Sequence, residues 1–167
     1  MTAPYEHIIV CVDQDSTATG ASLVAARNLR AIGPGRLTLV HALVPPFVYP
    51  ALPGSGVQTW IPNPQETRAA ATIWLEGMAE PGETIAVLEG YAPEAVCGWA
   101  VESGADLIVA AAHRGRIERI LLGGFASFLA HNAPCQVLLI RPIPSPVADS
   151  VPRLAQVQIA PSSVVPG

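Results

Sequence analysis

The sequence contains no lysine, and all nine of its basic side chains are arginines. A phosphate-binding loop of the form G-x-x-x-x-G-K-[ST] is therefore excluded, because that loop requires a lysine on the β- and γ-phosphates. A receiver domain of the response-regulator type carries a lysine after its last strand and is excluded for the same reason. Only 13% of the residues are charged, and the formal net charge is −4. Since nucleic-acid-binding faces are basic, we expect no nucleic-acid partner.

Long apolar runs and frequent cysteines are also absent. No apolar run approaches the roughly 18 residues of a membrane-spanning helix, and the first residues lack a basic segment followed by an apolar leader. We therefore expect no membrane span and predict a cytoplasmic location. The three cysteines (Cys11, Cys97 and Cys135) are odd in number and far apart. This pattern favours buried thiols over a disulfide or a metal site.

Five short apolar segments alternate with helical patterns over the first 142 residues. The predicted strands are His7–Val12, Arg36–Ala42, Glu83–Leu88, Asp106–Ala111 and Gln136–Arg141. This alternation predicts an α/β fold, a single doubly wound five-stranded parallel sheet with helices on both faces. We expect one domain over residues 1–142. The Pro-rich tail, residues 143–167, is either disordered or an arm laid on a partner.

The helices are predicted from apolar residues at helical spacing. These residues are Ala21, Ala25, Leu29 and Ile32 in the first helix and Ala70, Ile73, Trp74 and Met78 in the second. The second helix is expected to end before Pro81, and the third to end at Gly104. The Pro-, Gly- and Ser-rich segment Val44–Pro64 predicts a long irregular loop.

A segment rich in glycine and arginine follows the fourth predicted strand. It carries Gly115, Gly123 and Gly124 together with Arg114, Arg116 and Arg119. Ligands of open α/β sheets bind at the carboxyl ends of strands, and helix N-termini attract anions. The segment is therefore where we would place the phosphates of a ligand. The alternative is a solvated helix start, since surface arginines are common.

The chain resembles the universal stress protein family over about residues 5 to 142. The resemblance rests on a first strand that ends in Asp13, on Val40-His41-Ala42 at the end of the second strand, and on Ala105–Val109. It also rests on the closing segment, ILLGG followed after a helix by NAPCQVLLIR. The resemblance implies the strand order 3-2-1-4-5. Members of this family divide into those that bind ATP and those that do not.

The ATP-binding members carry Gly, two residues, Gly, nine residues, Gly, and then Ser or Thr. In this sequence, Ala112 takes the first position and Gly115 the second. Alignment of ILLG places the third glycine at Gly123, with only seven residues between, and the hydroxyl position becomes Gly124. The lost hydroxyl removes a hydrogen bond worth about 1.5–3 kcal/mol to a charged phosphate. Arg114 and Arg116 offer bidentate phosphate contacts in compensation.

The resemblance also implies two residues at the sugar and base. Asp13 would hydrogen-bond the ribose or base region, and Val40 would line the adenine pocket. On the residues alone, Asp13 is as well explained as a helix cap and Val40 as ordinary core. His41 and His113 lie near strand ends, where most histidines are polar rim residues.

Two functions of different classes follow. The first is a dimeric stress-response module that binds ATP or a related adenine nucleotide, with at most slow hydrolysis and no metal site. The second is a member without nucleotide that works as an interaction or scaffold protein. An enzyme acting on another small phosphorylated molecule is a third reading. For either of the first two functions, the resemblance implies a homodimer in which Gln136–Arg141 pairs antiparallel with the same strand of the other subunit.

Overall fold

The computed structural model of the protein describes residues 5–14, 16–43, 63–112 and 124–141. Within them, strands and helices alternate as β1 (His7–Cys11), α1 (Ser16–Arg30), β2 (Arg36–Leu43), α2 (Pro64–Glu76), β3 (Thr84–Glu89), α3 (Ala92–Ser103), β4 (Leu107–Ala111), α4 (Gly124–Asn132) and β5 (Gln136–Ile140). Nearly all of the predicted loop Val44–Pro64, and the whole tail 143–167, lie outside the described residues. No helix in the described part of the chain is both long and apolar enough to cross a membrane.

The strands form one parallel sheet in the order β3-β2-β1-β4-β5, which confirms the predicted fold class and strand order. The central strand is β1, whose Ile8 is in register with Leu37 of β2 and with Leu107 of β4. The chain first moves from β1 to one side of the sheet and later returns to the other side at β4. The strand order therefore reverses between β1 and β4, and ligands of such sheets bind at the carboxyl side of this point.

The two faces of the sheet have separate apolar cores. On one face, Val10 of β1 belongs to the same buried cluster as Leu23 of α1 and Leu75 of α2. On the other, Ile9 clusters with Leu129 of α4 and with residues of α3. The side chains of a strand point alternately to its two faces, so this near-continuous apolar run supplies both cores. Each fully buried aliphatic side chain contributes about 1.5–3 kcal/mol.

Three of the predicted apolar helix positions are wrong, and the first of them, Ala70, is exposed. Ile73 is 69% exposed, because α2 instead buries Ala71 and Leu75 against the sheet. Ile32 is 66% exposed, because α1 ends at Arg30 and the residue lies beyond the helix. The second helix ends before Pro81, as predicted, but its last residue is Glu76, so the predicted helix position Met78 lies beyond it. The predicted end of α3 is confirmed: Gly104 adopts the left-handed conformation with φ 65° and closes the helix.

A buried histidine lies at the amino-terminal edge of the sheet. His7 Nδ1 lies 3.0 Å from a guanidinium nitrogen of Arg36, and Nε2 lies 2.9 Å from the hydroxyl of Thr38. Nδ1 also lies 3.2 Å from the carbonyl oxygen of Ser103. Burial, and then the charge of Arg36, lower the pKa of His7 against the opposing effects of the Ser103 carbonyl and Asp106. His7 is therefore held neutral in the fold.

An ion pair joins the end of α1 to the turn before β3. Arg27 donates from Nε and Nη2 to the two carboxylate oxygens of Glu83, at 2.8 and 2.9 Å. The Glu83 side chain is fully buried, and its carboxylate also accepts the Glu80 N–H at 2.8 Å. Burial opposes the charge of Glu83, but these hydrogen bonds and the charges of Arg27 and Arg30 outweigh it and lower the pKa of Glu83. The pair fixes α1 against β3 across one face of the sheet.

Candidate functional site

A cavity of about 300 Å³ opens at the carboxyl ends of β1, β2 and β4, at the point where the strand order reverses. Its described walls are mostly apolar and come from three strands and three helices: Cys11, Val12, Asp13, Thr19, Val40, His41, Ala42, Ala92, Val96, Ala111 and Phe125. Small-molecule pockets have this character, with volumes of about 300–1,000 Å³ and a few well-placed polar groups. The cavity is therefore the candidate site.

Asp13 leaves the end of β1 and carries the one carboxylate in the described wall. Its main chain is held by the buried Thr19 of α1: the Asp13 N–H donates to Oγ1 at 2.9 Å, and this hydroxyl donates to the Asp13 carbonyl at 2.6 Å. The Gln14 N–H donates to Asp13 Oδ1 at 2.6 Å. Thr19 thus positions Asp13 at the cavity while the carboxylate stays exposed to solvent. The sequence reasoning missed Thr19.

Val40 and His41 end the part of β2 that borders the cavity. Val40 is 1% exposed and packs in the α3–α4 core, so it forms cavity wall and core at once. Its carbonyl accepts the Val12 N–H at 2.9 Å. His41 Nδ1 donates to the Val12 carbonyl at 2.9 Å, and its ring meets Trp74 edge-on. His41 therefore serves the local structure, as expected for a residue at the polar rim.

The segment expected to hold phosphates is described only at its two ends. Ala112 is buried, and its N–H donates to the Ile140 carbonyl of β5 at 2.8 Å. That N–H is therefore not available to a ligand. Gly124 is the first residue of α4, where a Cβ would meet no atom within 4 Å, so the position does not require glycine.

The remaining predicted phosphate residues lie outside the described part of the chain. These are Arg114, Gly115, Arg116 and Gly123, together with Arg119 and His113. The segment follows β4 and precedes α4, so its two described ends, Ala112 and Gly124, lie at the carboxyl edge of the sheet. Phe125 of α4 contributes to the cavity wall directly after Gly124. The first turn of α4 therefore lies beside the cavity, with backbone N–H groups that have no partner within the helix.

Thiol chemistry is disfavoured in the cavity. Burial raises the pKa of the Cys11 thiol to about 12, with a further contribution from Cys97. Burial likewise raises the pKa values of Cys97 and Cys135. All three cysteines are free thiols, and each is partly rather than fully buried. Among the described residues there is no cluster of His, Cys, Asp and Glu that would hold a metal ion.

The described wall of the cavity suits binding better than catalysis. Its polar groups are one exposed carboxylate, one imidazole already bonded to a main-chain carbonyl, the Thr19 hydroxyl bonded to Asp13, and a neutral thiol. Oδ1 of this carboxylate already accepts the Gln14 N–H, but a carboxylate oxygen accepts more than one hydrogen bond, so the group can still receive hydroxyl or amino groups of a ligand. The apolar wall between Val40 and Val96 offers contact to a flat, uncharged ring.

Comparison with known proteins gives the family. The model of the universal stress protein family matches residues 4–141. A Thermus aquaticus protein, the universal stress protein in the QAH/OAS sulfhydrylase 3′ region, is 30% identical over 140 residues, which cover 82% of this chain and 99% of that protein.

Solved structures agree on the fold. The universal stress protein UspA from Lactobacillus plantarum matches with a TM-score of 0.57 at 19% identity, over 84% of this chain and all of that one. A universal stress protein in complex with cAMP matches with a TM-score of 0.56 at 16% identity, over 83% of this chain and 99% of that one. A family member from Arabidopsis thaliana with AMP bound matches with a TM-score of 0.51 at 15% identity, over 87% and 95% of the two chains. This chain belongs to the universal stress protein family.

Proposed function

We propose that this protein is a stress-response module that binds ATP or a related adenine nucleotide in the cavity beside Asp13. The observation that carries the proposal is the cavity itself: an apolar pocket at the reversal of strand order with one positioned carboxylate at its edge. In this arrangement the adenine ring packs against Val40 and the carboxylate of Asp13 accepts hydrogen bonds from the ribose or the base. Two proteins of the same fold, described with cAMP and with AMP, bind ligands of this class.

The phosphates are proposed to lie toward the segment from Ala112 to Gly124. A volume of about 300 Å³ is at the lower end for ligand pockets, which suits the base and sugar with the phosphates outside. The first turn of α4 begins at Gly124 and favours anions through its unpaired N–H groups and its dipole. We propose that Arg114, Gly115, Arg116 and Gly123 supply the remaining phosphate contacts. Hydrolysis, if any, is expected to be slow.

We also propose that the protein is a cytoplasmic homodimer formed through β5. This strand is an edge of the sheet and pairs on one side with β4. Its apolar side chains, including Val137 and Leu138, are only partly buried. Antiparallel pairing of two copies of β5 would give the main-chain groups of this edge partners and form an isologous interface.

Native mass spectrometry of freshly purified protein, followed by titration with ATP, ADP and AMP, tests both proposals. We expect a dimer with one nucleotide per subunit. Ala92→Leu, which fills the cavity, and Gly115→Trp, in the phosphate segment, should each weaken binding at least about tenfold, or 1.4 kcal/mol. Ala130→Leu is the matched control, because Ala130 is exposed on α4 and is not part of the described cavity wall. Unchanged affinity in both test variants would contradict the proposed site.

One observation favours the alternative, an interaction or scaffold module without nucleotide. The residue at the first glycine position, Ala112, is buried and its N–H is bonded to Ile140, so this position does not contribute a phosphate donor. The glycine spacing is also shorter than in the ATP-binding members. A dimer with no bound mass and no response to millimolar nucleotide would favour this function.

A further inference from the structure

The second edge of the sheet, β3, lies at the bottom of an open groove. The groove has a volume of about 740 Å³ and runs between α2 and α3. Among the described strands, β3 pairs only with β2. The Gly90 N–H donates to the Leu43 carbonyl at 3.1 Å, which continues this pairing past the strand end. Bonding alternates along a parallel strand, so Ile85, Val87 and Glu89 direct their N–H and C=O groups away from β2.

The two walls of this groove differ in polarity. On the α2 side, Arg68 and Thr72 present polar groups. On the α3 side, Ala95, Gly98 and Trp99 present small or apolar surface, and Glu102, near the end of α3, adds one carboxylate. A strand added to β3 would send alternate side chains to these two walls. The groove therefore fits a segment whose residues alternate between polar and apolar.

The tail of this chain contains such a segment. In residues 155–159, the apolar residues Ala155, Val157 and Ile159 alternate with Gln156 and Gln158. These residues lie outside the described part of the chain. A second copy of β3 fits less well, because a strand that places apolar side chains on both faces would set some of them against the polar wall.

The distances allow the tail to reach β3 of its own chain. In a parallel sheet, β5 and β3 end at the same edge, and four strand spacings of about 4.8 Å separate them by about 19 Å. Residues 142–152 span up to about 36 Å when extended. The tail would arrive at the carboxyl end of β3, near Glu89, and would then run antiparallel to it.

We propose that residues 155–159 add to β3 of the same chain as a sixth, antiparallel strand. Ala155, Val157 and Ile159 then pack against the α3 wall, and Gln156 and Gln158 lie beside Arg68 and Thr72. This addition gives the outward main-chain groups of β3 hydrogen-bond partners and removes an open edge. It leaves β5 as the edge available to another subunit.

Residue-resolved amide hydrogen exchange by NMR tests this proposal on the full chain. The amides of Ile85, Val87 and Glu89 should exchange at least tenfold faster in a chain that ends at Arg141 than in the full chain. Those of Ala86 and Leu88, which bond to β2, serve as internal references and should not change. Equal exchange at the three outward amides in both chains would overturn the proposal.

Two pairs of substitutions separate the two faces of the proposed strand. Val157→Asp with Ile159→Asp places carboxylates against the apolar wall. This pair should speed hydrogen exchange at the outward amides of β3 as much as truncation does. Gln156→Asp with Gln158→Asp, the matched control, should leave them protected. Equal effects of the two pairs would contradict the proposed orientation. A mixture of labelled chain that ends at Arg141 with unlabelled full chain tests docking between copies. If the full chain slows exchange at the outward amides of the shortened chain, the tail docks on another copy, and the proposal that it docks on its own chain is wrong.

Discussion

Replacement of Arg27 by methionine should destabilise the fold through the charge that it leaves behind. The Glu83 side chain has no exposed area, whereas that of Arg27 is 25% exposed. Methionine keeps much of the aliphatic packing of Arg27 but removes both bonds to the carboxylate. The remaining cation, Arg30, lies 3.8 Å from Glu83 and makes no hydrogen bond of comparable geometry. Glu83 would then be a buried carboxylate with only partial compensation.

Removal of one partner of a buried ion pair costs about 3–5 kcal/mol. We expect the lower end, about 3 kcal/mol, because Arg30 remains and Arg27 is partly exposed. For a chain of this size, 1 kcal/mol shifts Tm by about 2–4 °C, so Tm should fall by about 6–12 °C. Urea unfolding at pH 7, followed by circular dichroism, measures the free energy directly.

Arg68→Met provides the matched control. Arg68 pairs with Glu89 at 2.8 Å, but the two side chains are 51% and 67% exposed. Such surface pairs contribute about 0–1 kcal/mol, so this variant should unfold close to wild type. The double variant Arg27→Met with Glu83→Leu should recover part of the lost stability, because no buried charge remains. Equal stability of the two single variants would refute the reasoning.

The pH dependence gives a second test of the same pair. Since the folded pKa of Glu83 is lowered, its contribution is fully present above the ordinary carboxyl value of 4.5. It is lost as the pH falls through the lower, folded pKa. The difference in Tm between wild type and Arg27→Met should therefore shrink as the pH falls from 7 into this range. Arg27 also donates to the Met78 carbonyl at 2.8 Å. A difference that stays constant with pH would show that loss of this bond and of packing, not charge, causes the destabilisation.

Three further predictions concern single sites. The pKa of His7 is lower in the folded than in the unfolded protein, so the stabilisation by neutral His7 is present above about pH 6.5 and is lost as the pH falls below that value. Between pH 7.5 and pH 5, Tm should therefore fall less for His7→Gln than for wild type. Thr19→Val should cost about 1–3 kcal/mol and weaken nucleotide binding, since it removes both partners of the Asp13 main chain, whereas Thr19→Ser should preserve stability and binding. Gly35→Ala should lower the free energy of unfolding in urea by about 1–3 kcal/mol or more, because its Cβ would collide with the main-chain carbonyl of Tyr5, just before β1. In Gly20→Ala, the control in α1, the added Cβ meets no atom, so this variant should be as stable as wild type or more stable.

The sheet could be predicted from the sequence because its strands are buried on both faces. Such strands are nearly continuous apolar runs, and the predicted strand His7–Val12 differs by one residue from the observed His7–Cys11. The buried face of α2 was harder to predict. The alanines at 69–71 give no periodic signal, so the pattern indicates Ile73 as an apolar helix position, although the helix buries Ala71 and Leu75.

The candidate site was predicted only in part. Asp13 and Val40 lie beside a cavity, and their roles toward a nucleotide stay predictions. The role of Thr19 was missed, because a threonine within a helix carries no local sign that its hydroxyl meets the chain six residues earlier. That contact depends on how α1 packs against β1. The bond from Ala112 to Ile140 depends in the same way on the register of β4 and β5.

A crystal structure of the protein grown with AMP tests the central claim most directly. We expect an adenine ring in the cavity against Val40 and Val96, with Asp13 within hydrogen-bond distance of the ribose or base. The phosphate should lie toward Gly124 and the first turn of α4. An empty cavity at millimolar AMP, or AMP bound only elsewhere, for example in the groove beside β3, would contradict it.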